Sequence, residues 1–238
     1  MRKVMVIIPA YNEEKSLRHV FENVRSCVPD ATIVVIDDGS QDSTGAIAES
    51  LGGVALQLPC NVGIGAAEQT GFLYAIRHGY DTVVRNDGDG QHNPAEIPLL
   101  LETLDHSNAD VVIGSRYLED RGYITPPLRR FGIRLLSRVI SLICGAHFTD
   151  PTSGFRAFNR RAIQLSTTYY PHDYPEPESV VLFRRAGLSV CEIPVTMNPR
   201  YGGQSSIRIA DSVYYMFKVL LAIFIEMMRK IPNTPALT

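Results

Sequence analysis

Short apolar runs alternate with helix-forming segments through the first half of this chain. Residues 4–8 are a continuous apolar run of strand length, which is typical of a strand buried on both faces. Further strands are predicted at residues 32–36, in the run that begins at Thr82 and at residues 110–114. Between them lie segments with apolar residues at helical spacing, such as Leu17, Val20, Phe21 and Val24. The alternation predicts βαβ units and an α/β fold with a Rossmann-like, mostly parallel central sheet flanked by helices.

Three of the predicted strands end in polar clusters. These clusters are residues 9–13, 37–40 and 87–91. Ligands of parallel α/β sheets bind at the carboxyl ends of the strands, so we expect all three clusters on one rim of the sheet.

The third cluster reads Asp-Gly-Asp-Gly-Gln. Alternate side chains at a strand end share a face, so Asp87 and Asp89 can aim at one point, and Gly88 lets a ligand approach the backbone. Two carboxylates with a carbonyl nearby suit Mg²⁺ or Mn²⁺ whose shell is completed by phosphate oxygens. A D-x-D pattern alone favours a polar turn, but its place on a shared polar rim favours a binding site.

Composition limits the class of protein. The chain has 238 residues, 45% of them hydrophobic, which fits one large α/β domain or one domain with a tail. The net charge of −2 indicates no nucleic acid partner. The N-terminus enters a short strand directly and is too short for a signal peptide. The four scattered cysteines are expected to be reduced and buried in a cytosolic protein; they are Cys27, Cys60, Cys144 and Cys191.

A predicted helix at residues 128–143 carries arginines at four-residue spacing, namely Arg130, Arg134 and Arg138. Its other side is apolar and carries Phe131, Leu135, Val139 and Leu142. The arginines fit a solvated basic face and a helix that faces lipid phosphates equally well.

The last predicted helix, residues 212–228, has only Lys218 and Glu226 as charged residues, and 219–225 is apolar on every face. It is shorter than the roughly 20 apolar residues of a membrane-spanning helix. A helix in the membrane interface, a subunit contact, a dock for a small membrane protein and a core helix are the alternatives. We therefore divide the chain into a domain at 1–206, this helix at 207–230 and a tail at 231–238.

Five short motifs occur in a fixed order. They are IIPAYNEE at 7–14, DDGSQDST at 37–44, DGDGQH at 87–92, GSRY at 114–117 and DPTSGFR at 150–156. Over residues 3–208 the chain resembles the family 2 glycosyltransferases of the GT-A fold, and in particular their dolichyl-phosphate-mannose-synthase-like branch. The resemblance implies transfer of a sugar, with inversion, from a nucleotide-diphosphate sugar, whether of UDP, GDP or dTDP.

The resemblance also implies residue roles on the donor side. Asp89 and Gln91 would hold Mg²⁺ or Mn²⁺, with Asp87 and Gly88 beside them. The residues that match the pocket for the base and ribose are Pro9, Tyr11, Glu13 and Asp38.

Three arginines match the positions that this branch uses around the phosphates, namely Arg116, Arg130 and Arg200. A fork of guanidinium donors suits that task. Arg129 adjoins Arg130, so the choice between these two stays open. Arg200 lies in a glycine-rich loop that could close over the donor.

The catalytic base departs from the family pattern. Many relatives use the aspartate of a Glu-Asp pair, which is missing from the corresponding region here; Glu178 is the nearest matching acid, and Asp150 is an alternative. A lipid phosphate is already an anion near neutral pH and needs little help from a base, whereas a sugar hydroxyl does need it. The missing pair, the arginine helix and the apolar last helix together favour a polyprenyl phosphate acceptor. We expect a protein that is peripheral on the inner face of the cell membrane, with a second copy or a small membrane protein as further partners.

Two rival functions follow from the same residues. One is transfer of a sugar to a hydroxyl of a growing cell-surface polysaccharide. The other is a noncatalytic subunit that binds nucleotide sugars, which the combination of Asp87, Asp89 and Gln91 disfavours. A sugar nucleotidyltransferase would need a glycine-rich loop after the first strand, and residues 9–12 are not one.

Overall fold

The central feature of the fold is a seven-stranded sheet. The computed structural model describes residues 2–123, 125–199 and 209–229, the last of these with side chains from Met216 onward. The strands lie in the order β3-β2-β1-β4-β6-β5-β7. They are β1 Val4–Ala10, β2 Thr32–Asp37, β3 Val54–Gln57, β4 Thr82–Arg85, β5 Val111–Ser115, β6 Arg156–Asn159 and β7 Val190–Pro194.

Helices pack against the sheet and against one another. They are α1 Leu17–Cys27, α2 Thr44–Ser50, α3 Ile64–Arg77, α4 Ile97–His106, α5 Pro127–Cys144, α6 Arg160–Tyr169, α7 Pro175–Arg185 and α8 Ile209–Met228. The predicted α/β class with a mostly parallel sheet is confirmed.

One strand inside the sheet runs against the others. β6 pairs antiparallel with both β4 and β5, and the last residue of β4, Arg85, lies opposite the first residue of β6, Arg156. The loop that enters β6 therefore lies at the carboxyl end of β4, beside the D-x-D turn. The sequence motif at 150–156 reaches the rim in this way.

The apolar strands are buried on both faces, as predicted. Met5 and Ile7 of β1 face a core that contains Phe72 of α3. Val6 and Ile8 face the opposite core, which contains Leu17 of α1. The two-residue period of a strand explains why neighbours along β1 enter different cores.

Two local expectations need correction. Helix α6 was not predicted from the sequence; it follows β6 directly, and the side-chain oxygen of its N-cap Asn159 accepts from the Ala162 N–H. The cysteines are free, as expected, but they are not buried: Cys60 is exposed and Cys27, Cys144 and Cys191 are half-buried.

From Met216 onward, helix α8 buries one face only. Val219, Ile223 and Glu226 are buried, and the helix packs on α7 and α5. Large apolar residues on its other faces are exposed, namely Phe217, Leu221, Phe224, Ile225, Met227 and Met228. Within the described ranges, no helix has the length and apolar character needed to cross a membrane. The predicted boundary at 206/207 and the tail at 231–238 lie outside the described residues.

Candidate active site

The loops after β1 and β2 are joined by hydrogen bonds. Asn12, at a φ of 56°, donates its N–H to Ser40 Oγ at 3.0 Å and accepts the Gln41 N–H at 2.9 Å. The Glu13 N–H donates to Thr44 Oγ1 at 2.8 Å. These contacts fix the first two polar clusters side by side.

The third cluster adjoins the first. A Cβ at Gly88 would lie 3.2 Å from the Pro9 carbonyl oxygen and 3.5 Å from Glu13 Cγ. A side chain at position 88 would therefore push the D-x-D turn away from the end of β1. The structure thus brings Pro9, Glu13 and the D-x-D turn to one rim, as the strand order requires.

Asp87 is held from both sides. Its N–H donates to His92 Nδ1 at 2.9 Å, and its Oδ1 accepts from Arg85 Nε at 2.9 Å. His92 is buried and stacks on Phe155 with ring centroids 4.8 Å apart. Burial lowers the pKa of His92, so the ring is neutral at pH 7. Because Nδ1 accepts a hydrogen bond, the ring proton is assigned to Nε2, which lies 3.5 Å from Asp87 Oδ2.

Asp89 closes the turn. Its Oδ1 accepts the Gln91 N–H at 2.9 Å. The Asp87 side chain is 28% exposed, whereas Asp89 is nearly buried at 8%. Two carboxylates and the Gln91 side chain are hard oxygen donors of the type that Mg²⁺ and Mn²⁺ prefer.

The donor set is small, which bears on the kind of cation it fits. Over the described part of the chain, no group of three or more His, Cys, Asp or Glu residues is arranged to hold a metal ion. A cation at the D-x-D turn would therefore need oxygen atoms from a bound ligand. Mg²⁺ in phosphate-transfer sites is commonly held in this way, by one or two carboxylates plus substrate phosphates.

Asp38 accepts hydrogen bonds from the protein backbone. It is 5% exposed, and its two oxygens accept the N–H groups of Val62 and Gly63 at 2.8 and 3.0 Å. The carboxylate thus fixes the loop that precedes α3. Tyr11 is 43% exposed and lies open on the rim. The roles of Asp38 and Tyr11 toward a base or ribose stay predictions.

Arg116 forms a buried ion pair with Asp150. Its Nε and Nη2 donate to the two oxygens of Asp150 at 2.6 and 2.7 Å, and Nη2 also donates to Thr152 Oγ1 at 2.8 Å. The guanidinium lowers the pKa of Asp150 in spite of complete burial. Asp150 is therefore ionised, and its lowered pKa together with the contacts of both oxygens to Arg116 makes it a weak base. The same pairing leaves Arg116 with few free N–H groups.

The arginines of α5 are arranged differently. Arg130, Arg134 and Arg138 are exposed and line a groove of about 740 Å³ whose wall includes Tyr117 and Thr149. Thr149 adjoins Asp150 in the chain, so the groove reaches the Arg116 pair. Arg129 is absent from the lining, which favours Arg130 in the choice between the two. Arg200 lies outside the described residues.

Glu178 lies at the packing contact between α7 and α8. Burial and the charge of Glu226 raise the pKa of Glu178 to about 7. The other charges that act on it are Asp173 and Arg229, and none of these belongs to the rim. Its catalytic role stays a prediction.

Two glutamates that the sequence did not assign to the rim lie behind the D-x-D turn. Glu176 Oε1 is 2.8 Å from Arg85 Nη1, and Glu68 Oε1 is 2.6 Å from the same nitrogen. Glu68 could have been noticed, because it is the one acidic residue of α3. Glu176 has no comparable signal, since an acid in the first turn of a helix is common.

A sheet whose strand ends carry a D-x-D turn beside a polar rim is the architecture of GT-A glycosyltransferases. A sequence profile described as Glycosyl transferase family 2 matches residues 5–165, which is more than half of the chain. The chain therefore belongs to the family 2 glycosyltransferases.

Named relatives fall in the branch that the motifs indicated. The polyprenol monophosphomannose synthase of Mycolicibacterium smegmatis is 34% identical over 231 residues, which cover 92% of this chain and 86% of the relative. The undecaprenyl-phosphate mannosyltransferase of Micrococcus luteus is 33% identical over 215 residues, which cover 85% and 86%. The UDP-N-acetylglucosamine–dolichyl-phosphate N-acetylglucosaminyltransferase of Methanococcus voltae is 31% identical over 212 residues, which cover 81% and 84%.

Solved structures show the same fold. Glucosyl-3-phosphoglycerate synthase from Mycobacterium tuberculosis, crystallised with Mn²⁺, UDP and glucosyl-3-phosphoglycerate, superposes with a TM-score of 0.72 at 21% identity. The match covers 97% of this chain and 82% of that one. At this identity the likeness concerns the GT-A fold alone.

Proposed function

We propose that this glycosyltransferase transfers a sugar from a nucleotide-diphosphate sugar to a polyprenyl phosphate at the cytoplasmic face of the membrane. A phosphate oxygen of the lipid attacks the anomeric carbon as the bond to the nucleoside diphosphate breaks, with inversion. The observation that carries the proposal is the row of arginines along the groove of α5. The names of the three relatives, each of which includes a polyprenyl-type lipid, support the same acceptor class.

The donor is assigned to the rim. Asp87, Asp89 and Gln91 would hold Mg²⁺ or Mn²⁺. A bound divalent cation would neutralise the charge that develops on the leaving nucleoside diphosphate. Tyr11 and Glu13 would contact the nucleoside, and the close approach of Glu13 to Gly88 of the D-x-D turn supports this assignment.

The acceptor is assigned to the groove. Among the described residues, no hydrogen bond or ion pair neutralises Arg130, Arg134 or Arg138, so three positive charges share one groove. A phosphate with a long apolar tail suits it, because Leu142 at one side of the groove is 86% exposed. Guanidinium forks bind phosphate oxygens in pairs.

The proposed membrane contact uses α5 and α8. Phe131 and Leu142 of α5 and Phe224 and Met228 of α8 are exposed apolar side chains. The helices adjoin, because Met216 Sδ lies 3.4 Å from the position of a Cβ on Gly132. Apolar side chains beside arginines are typical of surfaces that dock on anionic membranes.

The test is an acceptor panel. The purified protein is incubated with Mn²⁺ and with UDP-, GDP- or dTDP-sugars, and release of nucleoside diphosphate is measured. A short polyprenyl phosphate, the matching free prenol and a set of oligosaccharides serve as acceptors. The proposal predicts release only with the phosphorylated lipid, and loss of that release in Asp89→Ala. Release with an oligosaccharide instead would favour the polysaccharide alternative, and binding without any turnover would favour a noncatalytic subunit.

A further inference from the structure

A buried guanidinium lies directly behind the D-x-D turn. Arg85, the last residue of β4, is 3% exposed. Its Nε donates to Asp87 Oδ1 at 2.9 Å. Its Nη1 lies 2.6 Å from Glu68 Oε1 and 2.8 Å from Glu176 Oε1. One planar cation thus bridges carboxylates from α3, from the turn and from α7.

The guanidinium has no room to move. A Cβ at Gly154 would lie 2.6 Å from Arg85 Cζ, so the backbone at Gly154 covers one side of the group. Glu68, which contacts Arg85, is itself fully buried, and its Oε2 accepts a hydrogen bond from the Tyr170 hydroxyl at 2.6 Å. Close packing on these sides allows Arg85 a single arrangement.

The backbone that carries the third carboxylate is also held. Arg156, which lies opposite Arg85 in the sheet, donates from Nη2 to the carbonyl oxygens of Glu176 and Pro151, each at 2.8 Å. The first turn of α7 and the loop before β6 are therefore tied to the same point. The D-x-D turn and the loop that carries Asp150, the ion-pair partner of Arg116, are thus held by contacts to the same cluster.

Such a cluster is a costly way to fill a core. Buried ion pairs are often replaceable by apolar residues without loss of stability, and the cluster sets three carboxylates against one bridging guanidinium. The contact of the cluster with Asp87 indicates a role other than stabilising the core. We propose that Arg85 is a positioning residue: by holding Oδ1 it fixes the Asp87 side chain in the orientation that receives a cation-bound nucleoside diphosphate. This inference rests on the proposed donor site.

The test is Arg85→Lys. A lysine ammonium keeps the charge, but it cannot contact Asp87 through one nitrogen and the two glutamates through another, as the guanidinium does. Loss of a group that orients a metal ligand typically weakens metal affinity about 10- to 100-fold. We expect calorimetry with UDP, GDP and dTDP to show about 10-fold weaker binding in Mn²⁺, and unchanged binding without the metal. The KM for the donor should rise while the KM for the acceptor stays constant.

The matched control is Arg161→Lys. Arg161 pairs with Asp110 at 3.0 Å, at the start of β5 and so at the edge of the sheet away from the rim. The control should bind Mn²⁺ and nucleotide as the wild type does. Glu176→Gln removes one of the two charges that hold Arg85 Nη1 and so loosens Arg85 against Asp87. It is the second variant, with a smaller loss of about 3-fold expected in the same metal-dependent binding.

The outcomes separate cleanly. A folded Arg85→Lys protein with wild-type affinity in Mn²⁺ would overturn the inference, and so would an equal loss with and without the metal. If Arg85→Lys does not fold, unchanged binding by Glu176→Gln overturns it. A wild-type protein that binds none of the three nucleotides with Mn²⁺ would overturn the proposed donor site, and the inference with it.

Discussion

The ion pair between Arg116 and Asp150 makes a quantitative prediction about stability. Asp150 is fully buried, and the Arg116 side chain is 10% exposed. Asp150→Asn keeps the shape of the side chain but replaces one carboxylate oxygen with an amide NH₂ that faces a guanidinium. One of the two contacts at 2.6 and 2.7 Å is lost, and a buried cation is left without its counter-ion. Breaking a buried pair from one side costs about 3–5 kcal/mol, and we expect about 3 kcal/mol because the amide oxygen keeps one bond.

The assay is urea unfolding of the wild type and the variant at several pH values. The pKa of Asp150 is lowered in the folded state from its ordinary 3.8. The stabilisation is therefore fully present above about pH 4 and is lost as the pH falls through the lower folded value. The two unfolding free energies should differ at pH 7 and converge in acid.

Glu119→Gln is the matched control. Glu119 pairs with Arg121 at 3.2 Å, but the two side chains are 59% and 33% exposed. An exposed pair of this kind contributes about 0–1 kcal/mol. A loss in Asp150→Asn no larger than that of the control, with parallel pH curves, would refute the reasoning.

Three further predictions concern other parts of the molecule. Gly39→Ala should lower the free energy of unfolding by at least about 2 kcal/mol, because the φ of +69° disfavours a side chain and a Cβ there would overlap the backbone of Cys60. Gly52→Ala, at a φ of +71° with open space around it, should lower it by only about 1 kcal/mol in the same urea assay. Glu178→Gln should stabilise the protein by about 1 kcal/mol above pH 7, because the pKa of this carboxyl is raised from 4.5 to about 7 and its ionisation destabilises the folded state. The gain should vanish near pH 4.5 in urea titrations. Leu142→Ser should weaken partition onto anionic vesicles about 5-fold or more in sedimentation assays, whereas Leu73→Ser on α3 should leave it unchanged.

Much of the rim could be predicted from the sequence because its signals are local. A buried strand has a readable period, and polar residues immediately after it must lie at its carboxyl end. Asp87, Gly88 and Glu13 meet for this reason. The packing of α8 was only partly foreseen, because an all-apolar pattern does not indicate which face is buried.

The parts that were missed depend on contacts distant in sequence. The antiparallel β6 is short, and nothing in residues 156–159 distinguishes its direction. Arg85 looked like an ordinary strand residue until the fold placed Glu68 and Glu176 beside it. Asp38 also accepts two N–H groups of the loop before α3, a contact that its motif does not indicate. Local sequence patterns therefore predicted where the rim lies, whereas contacts between residues distant in the chain determine which of its polar groups bind other protein groups.

The central claim is that the acceptor is a lipid phosphate, and the identity of the product tests it most directly. The protein would be incubated with Mn²⁺, a sugar-labelled donor chosen by the nucleotide panel, and a short polyprenyl phosphate. The reaction would then be partitioned between organic solvent and water. The account predicts label in the organic phase as a lipid-linked monosaccharide, released by mild acid, and absent when Arg130 and Arg134 are both replaced by Gln. Label that moves to a water-soluble saccharide, or a lipid product formed equally well by the double variant, would contradict it.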